Sequence, residues 1–415
     1  MSDSNLLIHP LPPGWNNRQF GDVCDRVKDS YQPVDDGDTP YVGLEHLAQG
    51  FPAFVGRGKE SEVKSSKTSF KAGDILFGKL RPYLRKGAQA DFDGVCSTDI
   101  LAFRAKATCE SEFLKFIIHS DEFVAHAKST TSGVQHPRTS WPSLREFRLS
   151  LPPLPEQKKI AHILSTVQRA IEAQERIIQT TTELKKALMH KLFTEGLRNE
   201  PQKQTEIGPV PESWEVVELG ELLTIAQYGM SVKGNPEGNH PILRMTNQVD
   251  GQIVGRNLQY VEISDGEFEK FRVERGDILF NRTNSLDLVG RTAIFDIEGE
   301  FVFASYLIRL RTDKKKLNPF FLNCYFNTDE IQARLKSIAT RAVSQSNISA
   351  TRLRGFPVPT PRLEEQNDIV THATTLDRKL AVHRSKLEQL QDLFRTLLDE
   401  LMTAKIRVHE LKLSA

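Results

Sequence analysis

The side chains best suited to chemistry in this 415-residue chain lie in two short polar loops. Gln135, His136 and Arg138 occupy the first, and Arg341, Ser344, Gln345 and Asn347 occupy the second. Arginine forms a two-pronged hydrogen bond with guanine, and Asn or Gln does so with adenine, so these residue types can read base edges in a major groove. Basic residues stand nearby. Residues 57–86 hold nine Lys and Arg, among them Lys79, Arg81, Arg85 and Lys86, against Glu60, Glu62 and Asp74, a net of +6. Arg282, Asn284 and Arg291 take the matching places later in the chain, and residues 331–354 hold five basic residues and no acid. Such clusters neutralise phosphates and release counterions. Taken singly, each is also the ordinary solvated surface of a soluble domain.

Bond-making chemistry finds little support. Asn318-Pro319-Phe320-Phe321 shares letters with the Asn-Pro-Pro-aromatic motif that holds an extruded base in amino-methyltransferases. Its third residue is wrong and no Gly-rich cofactor turn precedes it, so a helix start is expected there. Glu62-Val63-Lys64 fits the second half of a PD-(D/E)xK nuclease site, but no Pro-Asp partner precedes it. Gly56-Arg57-Gly58-Lys59 lacks the spacing of a phosphate-binding loop. His162 and His372 fall on helical segments without metal-ligand spacing, which predicts surface or seam positions. Cys24, Cys96, Cys109 and Cys324 include no CxxC pair and read as reduced thiols of a cytoplasmic protein. No catalytic residue, cofactor site or metal site is expected.

The elements that must position the two loops are duplicated. Pro12-Pro13-Gly14-Trp15 returns as Pro211-Glu212-Ser213-Trp214, and Gly73-Asp74-Ile75-Leu76-Phe77 returns letter for letter at Gly276–Phe280. Leu154-Pro155-Glu156-Gln157 returns as Leu363-Glu364-Glu365-Gln366, and residues 130–194 overlay the second copy at a constant offset of 209. A repeat this long is a whole domain plus a connecting element. Each copy mixes short β-type runs (74–77, 100–103 and 147–151) with one helical stretch, at 111–128 and 318–338.

A Pro- and Gly-free segment follows each copy. Apolar residues recur at Ile160, Leu164, Val167, Ile171, Ile178, Leu188 and Leu192 in the first. The second runs Ile369, Ala373, Leu376, Leu380, His383, Leu387, Leu390, Phe394, Leu397 and Leu401, a heptad seam. At 1.5 Å per residue each helix is about 55–60 Å long. Two such helices in one chain can pair with each other or pack on their own domains. Antiparallel pairing would set the two domains at opposite ends of a rod, and half-sites on DNA lie about 34 Å apart per helical turn. Gln174 and His383 fall at corresponding seam positions, either fixing register or reaching solvent. The polar segment 196–211 reads as a linker.

Composition fits this reading. With 39% hydrophobic and 26% charged residues the chain has the make-up of an ordinary globular protein of two or three domains. No apolar run of membrane-spanning length occurs and Met1-Ser2-Asp3-Ser4 does not read as the opening of a signal peptide, so neither membrane insertion nor secretion is expected. A net charge of +1 leaves any attraction for phosphate to local clusters.

The ordered, duplicated set resembles the specificity subunits of type I restriction–modification enzymes over nearly the whole chain. The resemblance rests on residues 205–214 (Thr-Glu-Ile-Gly-Pro-Val-Pro-Glu-Ser-Trp), the paired Gly-Asp-Ile-Leu-Phe strands, and the Pro-rich ends running into Glu156-Gln157 and Glu365-Gln366. It implies an α+β fold with two similar mixed α/β target-recognition domains in tandem, separated by two long helices forming an antiparallel coiled coil with a pseudo-two-fold repeat. The expected divisions are 1–155 for the first recognition domain, 156–198 for the first long helix and start of the linker, 199–363 for the linker and second domain, and 364–415 for the second long helix and tail. Each domain would read one half of a bipartite, asymmetric site on double-stranded DNA. The coil would set the spacer and dock two methyltransferase (modification) subunits, with restriction/translocase subunits joining them. S-adenosylmethionine, ATP and Mg would belong to those partners, leaving this chain non-catalytic. The competing expectation is a protein-binding scaffold with a coiled-coil core, distinguished by salt-insensitive or absent DNA binding.

Overall fold

A computed structural model describes residues 11–341 and 345–411. The chain divides into two compact units, Met1–Glu175 with Ser385–Ala415, and Arg176–Arg384.

The duplicated Gly-Asp-Ile-Leu-Phe run shows how sequence dictates the frame. Gly73 and Gly276 both sit at φ +93°, a backbone region open to glycine. The next residue, Asp74 or Asp277, turns its carboxylate back onto the main-chain N–H of Lys71 (2.8 Å) or Glu274 (2.9 Å). Each Asp is buried, and each is matched by a two-pronged arginine, Arg104 at 2.8 and 2.7 Å or Arg311 at 2.7 and 2.8 Å. Such pairing is what makes a buried carboxylate tolerable. The strand that follows alternates between two cores, as period-two geometry requires. Ile75 and Phe77 enter one cluster and Leu76 another; Ile278 and Phe280 part from Leu279 in the same way.

In the first unit these strands build a four-stranded antiparallel sheet, ordered Cys24–Arg26, Ile100–Ala105, Ile75–Gly78, Gly87–Gln89. A mixed five-stranded sheet stands beside it. In the second unit a six-stranded sheet begins with the matching order Leu223–Tyr228, Leu307–Thr312, Ile278–Asn281, Thr292–Ile294. A two-stranded ribbon closes each copy, Asn16–Gln19 with Arg148–Leu151 and Glu215–Glu218 with Pro357–Thr360. Both units are therefore mixed α/β.

Each helical stretch expected at 111–128 and 318–338 is two helices rather than one: Ser111–Ile117 and Asp121–Ser129, then Pro319–Phe326 and Asp329–Ser337. The break in the first pair falls where the Ser120 side chain accepts the Phe123 N–H and caps a new helix. Asn318 caps its helix through Phe320 N–H at 2.8 Å, with Pro319 in the first turn, so Asn318-Pro319-Phe320-Phe321 is the helix start its sequence predicted.

The two long helices run Leu154–Glu195 and Leu363–Met402. In the first unit Ile160, Leu164 and Ile171 share a core with Phe394, Leu398 and Leu401, and with Phe20, Phe77 and Phe116 of the domain. In the second, Met189, Leu192 and Phe193 join Ile369 and Ala373 over Phe280, Phe321 and Phe326. The beginning of one helix thus meets the end of the other, and both pack on the adjacent domain, so pairing and domain packing use one apolar face. Gln174 is buried, whereas His162 and His372 are exposed.

The Gln of each Pro-rich junction joins helix to domain. Gln157 donates to the carbonyls of Pro152 (2.9 Å) and Thr108 (3.1 Å) and accepts Glu110 N–H (2.9 Å). Gln366 donates to Pro361 (2.8 Å) and Lys316 (3.0 Å) and accepts Asn318 N–H (2.7 Å). The neighbouring Glu takes an arginine from the segment after the other long helix. Arg407 forks onto Glu156 at 2.7 and 2.9 Å, and Arg198 approaches Glu365 at 3.6 Å. Arg198 and Arg407 are themselves 209 residues apart, so the repeat extends past both helices.

Candidate nucleic-acid interface

In the first unit two segments far apart in sequence are joined by main-chain bonds. Leu80 bridges Arg138, Arg81 N–H donates to Pro137 at 2.8 Å, and Thr139 N–H donates to Lys79 at 3.1 Å. Ser132 and Arg138 exchange two bonds of 3.0 Å that close the loop carrying Gln135 and His136. The second unit repeats the junction of the two segments, although its hairpin closes one residue out of step with the first. Thr283 pairs with Asn347, Asn284 with Ser346, Arg341 with Ser346 and Thr340 with Asn347, while Ile348 N–H donates to Arg282 at 2.9 Å. The sequence-predicted groups 79–86 and 135–138, like 282–291 and 341–347, therefore meet in one place within each unit. Ser344 and the side chain of Arg341 lie outside the described residues.

The predicted side chains separate by what they touch. Arg81, Gln135, His136, Arg291 and Gln345 are exposed, and they and the half-buried Lys79 make no side-chain hydrogen bond or ion pair among the described residues. Others are committed to the protein. Arg138 forks onto Asp99 at 2.8 and 3.2 Å, Arg85 meets Asp121 at 2.5 Å and the carbonyl of His119 at 3.3 Å, and Lys86 donates to the carbonyl of Leu44 at 2.6 Å. Arg282 lies 4.7 Å over the ring of Tyr228 and donates to Ser305. Asn284 donates to the Met245 sulfur and Asn347 to Thr283 Oγ1.

The net charge of residues 57–86 is correspondingly not a free patch. Lys59 pairs with Asp38 and Lys71 with Asp93, and Lys67 is buried on Ser65. Arg57 and Lys64 stay exposed away from the ribbon, and Arg81 is the exposed member of the cluster at it. Arg81 and Arg85 bound a turn there with both residues left-handed, at φ 50° and 49°. A non-glycine residue costs roughly 1–2 kcal/mol in that region, so the anchors of Arg85 and the Arg81–Pro137 bond hold a strained presentation.

Sequence reasoning missed Asp99, whose carboxyl is held below its ordinary range first by the Arg138 bonds and then by the fields of Arg138, Lys79 and His136. It also missed Tyr83, Tyr228 and Tyr306, exposed aromatics beside the ribbons. Each stands alone in sequence, with no motif around it. Among the described residues no cluster of His, Cys, Asp or Glu could hold a metal ion, and no helix is long and apolar enough to cross a membrane. The thiols are unpaired, and burial pushes Cys96 and Cys109 up to about 12.

Residues 12–182 and 211–392 match the type I restriction modification DNA specificity domain, once in each half. The chain belongs to this family. This type I specificity-domain protein is 25% identical over 429 residues to the MjaVIII type I restriction enzyme specificity subunit of Methanocaldococcus jannaschii, covering 97% of the chain and 95% of that relative. It is 33% identical over 216 residues to a putative MjaX specificity subunit of the same organism, spanning about half of each (51%). Its fold matches the type I restriction–modification S subunit from M. genitalium with a TM-score of 0.61 at 17% identity, over 95% of the chain and 97% of that structure.

Proposed function

We propose that this chain is the DNA-recognition subunit of a type I restriction–modification complex. Each domain, taken as 1–155 and 199–363, reads one half of a bipartite, asymmetric site on double-stranded DNA through its ribbon. The observation that carries this reading is the duplicated frame with different side chains at its presenting positions: Arg81, Gln135 and His136 in one copy, Arg291 and Gln345 in the other. Side chains that face solvent without side-chain partners among the described residues, on a main-chain junction repeated in both copies, suit recognition of two different short sequences.

The helices at 156–198 and 364–415 set the unread spacer and dock two modification subunits, joined in the full complex by restriction/translocase subunits. Methyl transfer and cleavage, with S-adenosylmethionine, ATP and Mg, belong to those partners, and this chain is non-catalytic and cytoplasmic. Co-expression with the modification subunits in a methylation-free host, followed by methylome sequencing, tests the reading. A bipartite, asymmetric, adenine-methylated motif is the expected result, and a symmetric uninterrupted motif, or none, refutes it.

A further inference from the structure

We infer that Arg138 reads a guanine of the first half-site through the Nη edge of its guanidinium, and that Asp99 is its positioning residue. This inference rests on the recognition role proposed above.

A guanidinium carries five N–H donors in a rigid plane. Asp99 binds it side-on, taking Nε–H at 2.8 Å and one Nη2–H at 3.2 Å. Nη1 turns one N–H toward the carbonyl of His136 at 3.4 Å. One N–H on each Nη remains; with the His136 bond on the outer Nη1–H, the two lie side by side and in plane, the fork that matches O6 and N7 of guanine. The ion pair therefore leaves the reading edge open while removing the rotamer freedom that a long side chain otherwise loses on binding.

Asp99 is itself fixed. Its carbonyl accepts Lys79 N–H at 2.9 Å, its N–H donates to Ser97 Oγ at 3.3 Å, and its side chain is only 25% exposed. The main-chain bridge from Leu80 to Arg138 holds both ends of the pair on one ribbon. Arg138 is 42% exposed, so the fork reaches solvent. A carboxylate facing phosphates alone would oppose binding; here its charge is matched by the arginine it orients.

The second unit lacks the device. Arg282 N–H donates to the carbonyl of Tyr306, as Lys79 does to Asp99, so Tyr306 stands in the place of Asp99. Asn347 stands in the place of Arg138. Any effect of the pair is thus confined to one half-site.

The test uses the full chain co-expressed with its modification subunits in a methylation-free host, read by methylome sequencing. Arg138→Ala is expected to relax one guanine position of the first half-site, lowering discrimination there by about 5- to 150-fold, with the second half-site unchanged. Arg138→Lys is expected not to restore it, because an ammonium has no planar fork. Asp99→Asn is expected to relax the same position by less, and Asp99→Glu to recover part of the loss. Loss of methylation at all sequences alike, with base preference intact in Arg138→Lys, makes Arg138 a phosphate contact and overturns the inference. Unchanged discrimination in Asp99→Asn overturns the positioning role. A wild-type chain that yields no bipartite motif fails the parent reading instead, and this inference falls with it.

Discussion

Replacing Gln366 by Ala tests whether the junction amide is what fixes the second recognition domain to its long helix. Gln366 is fully buried, and its amide satisfies two carbonyls, of Pro361 and Lys316, and one N–H, of Asn318. Truncation leaves three main-chain groups without this partner, the Pro361 carbonyl buried and the Lys316 carbonyl and Asn318 N–H part-buried. Each costs about 1–3 kcal/mol, and entry of water offsets part of it, so the expected destabilisation is about 3–5 kcal/mol. For a unit of this size that corresponds to a fall in midpoint of about 6–20 °C. Scanning calorimetry of the full chain measures it. Gln366→Glu adds a second reading, since it keeps the shape but sets a carboxylate against two carbonyl oxygens. That carboxyl would titrate above its unfolded value, so the stability of the Glu variant should improve as pH falls toward about 4. A shift below about 2 °C for Gln366→Ala, or a Glu variant no worse than wild type at neutral pH, refutes the account of the junction.

The two arginines after the long helices should differ in weight. Arg407→Ala removes a close fork on the buried Glu156 and is expected to cost about 3 kcal/mol, whereas Arg198→Ala removes a 3.6 Å contact from a 43%-exposed side chain and should cost under about 1 kcal/mol; equal denaturation midpoints for the two variants would contradict this. His119, 2% exposed and bonded to the carbonyl of Gly87, is held down to about 4 from an ordinary 6.5, chiefly by burial. The folded state therefore binds fewer protons than the unfolded one between those values, and stability falls as pH drops from about 6.5 to about 4, by about 3 kcal/mol. His119→Gln should flatten that limb in urea titrations at stepped pH, and an unchanged slope would rule out His119 as its source.

The repeat, both long helices, the mixed α/β class and the helix start at Asn318 were legible because each leaves a periodic or positional mark. The Gly-Asp-Ile-Leu-Phe match located the frame, yet the use of its Asp was hidden, since the partner arginines lie some 30 residues away. The single helical stretches hid a break, because apolar spacing continues through Ile117 and Ile118 while the Ser120 side chain starts a new helix. The convergence of 79–86 with 135–138 was only implied by their common chemistry; the bonds that make it are main-chain bonds and leave no residue-type signature. Local charge counting overstated the basic patch, because Asp38, Asp93 and Asp121 answer its lysines and arginine from outside the window.

Main-chain bonding at the ribbon also explains why two copies of one frame can present different chemistry. Arg138 and Asn347 occupy the same bridge position with Leu80 and Thr283 facing them, and the register across this bridge is kept although no side chain is shared. A backbone ladder is indifferent to what its residues carry, so equivalent exposed positions such as His136 and Gln345 can differ without disturbing it. The side chains on which the frame does depend are the buried ones: Asp74 and Asp277 with their arginines, and Gln157 and Gln366 at the junctions. These are the same in both copies. Substitutions that change what is read should therefore leave the melting of either unit almost untouched, whereas substitutions at the four anchors should weaken the unit that holds them before they alter any base preference.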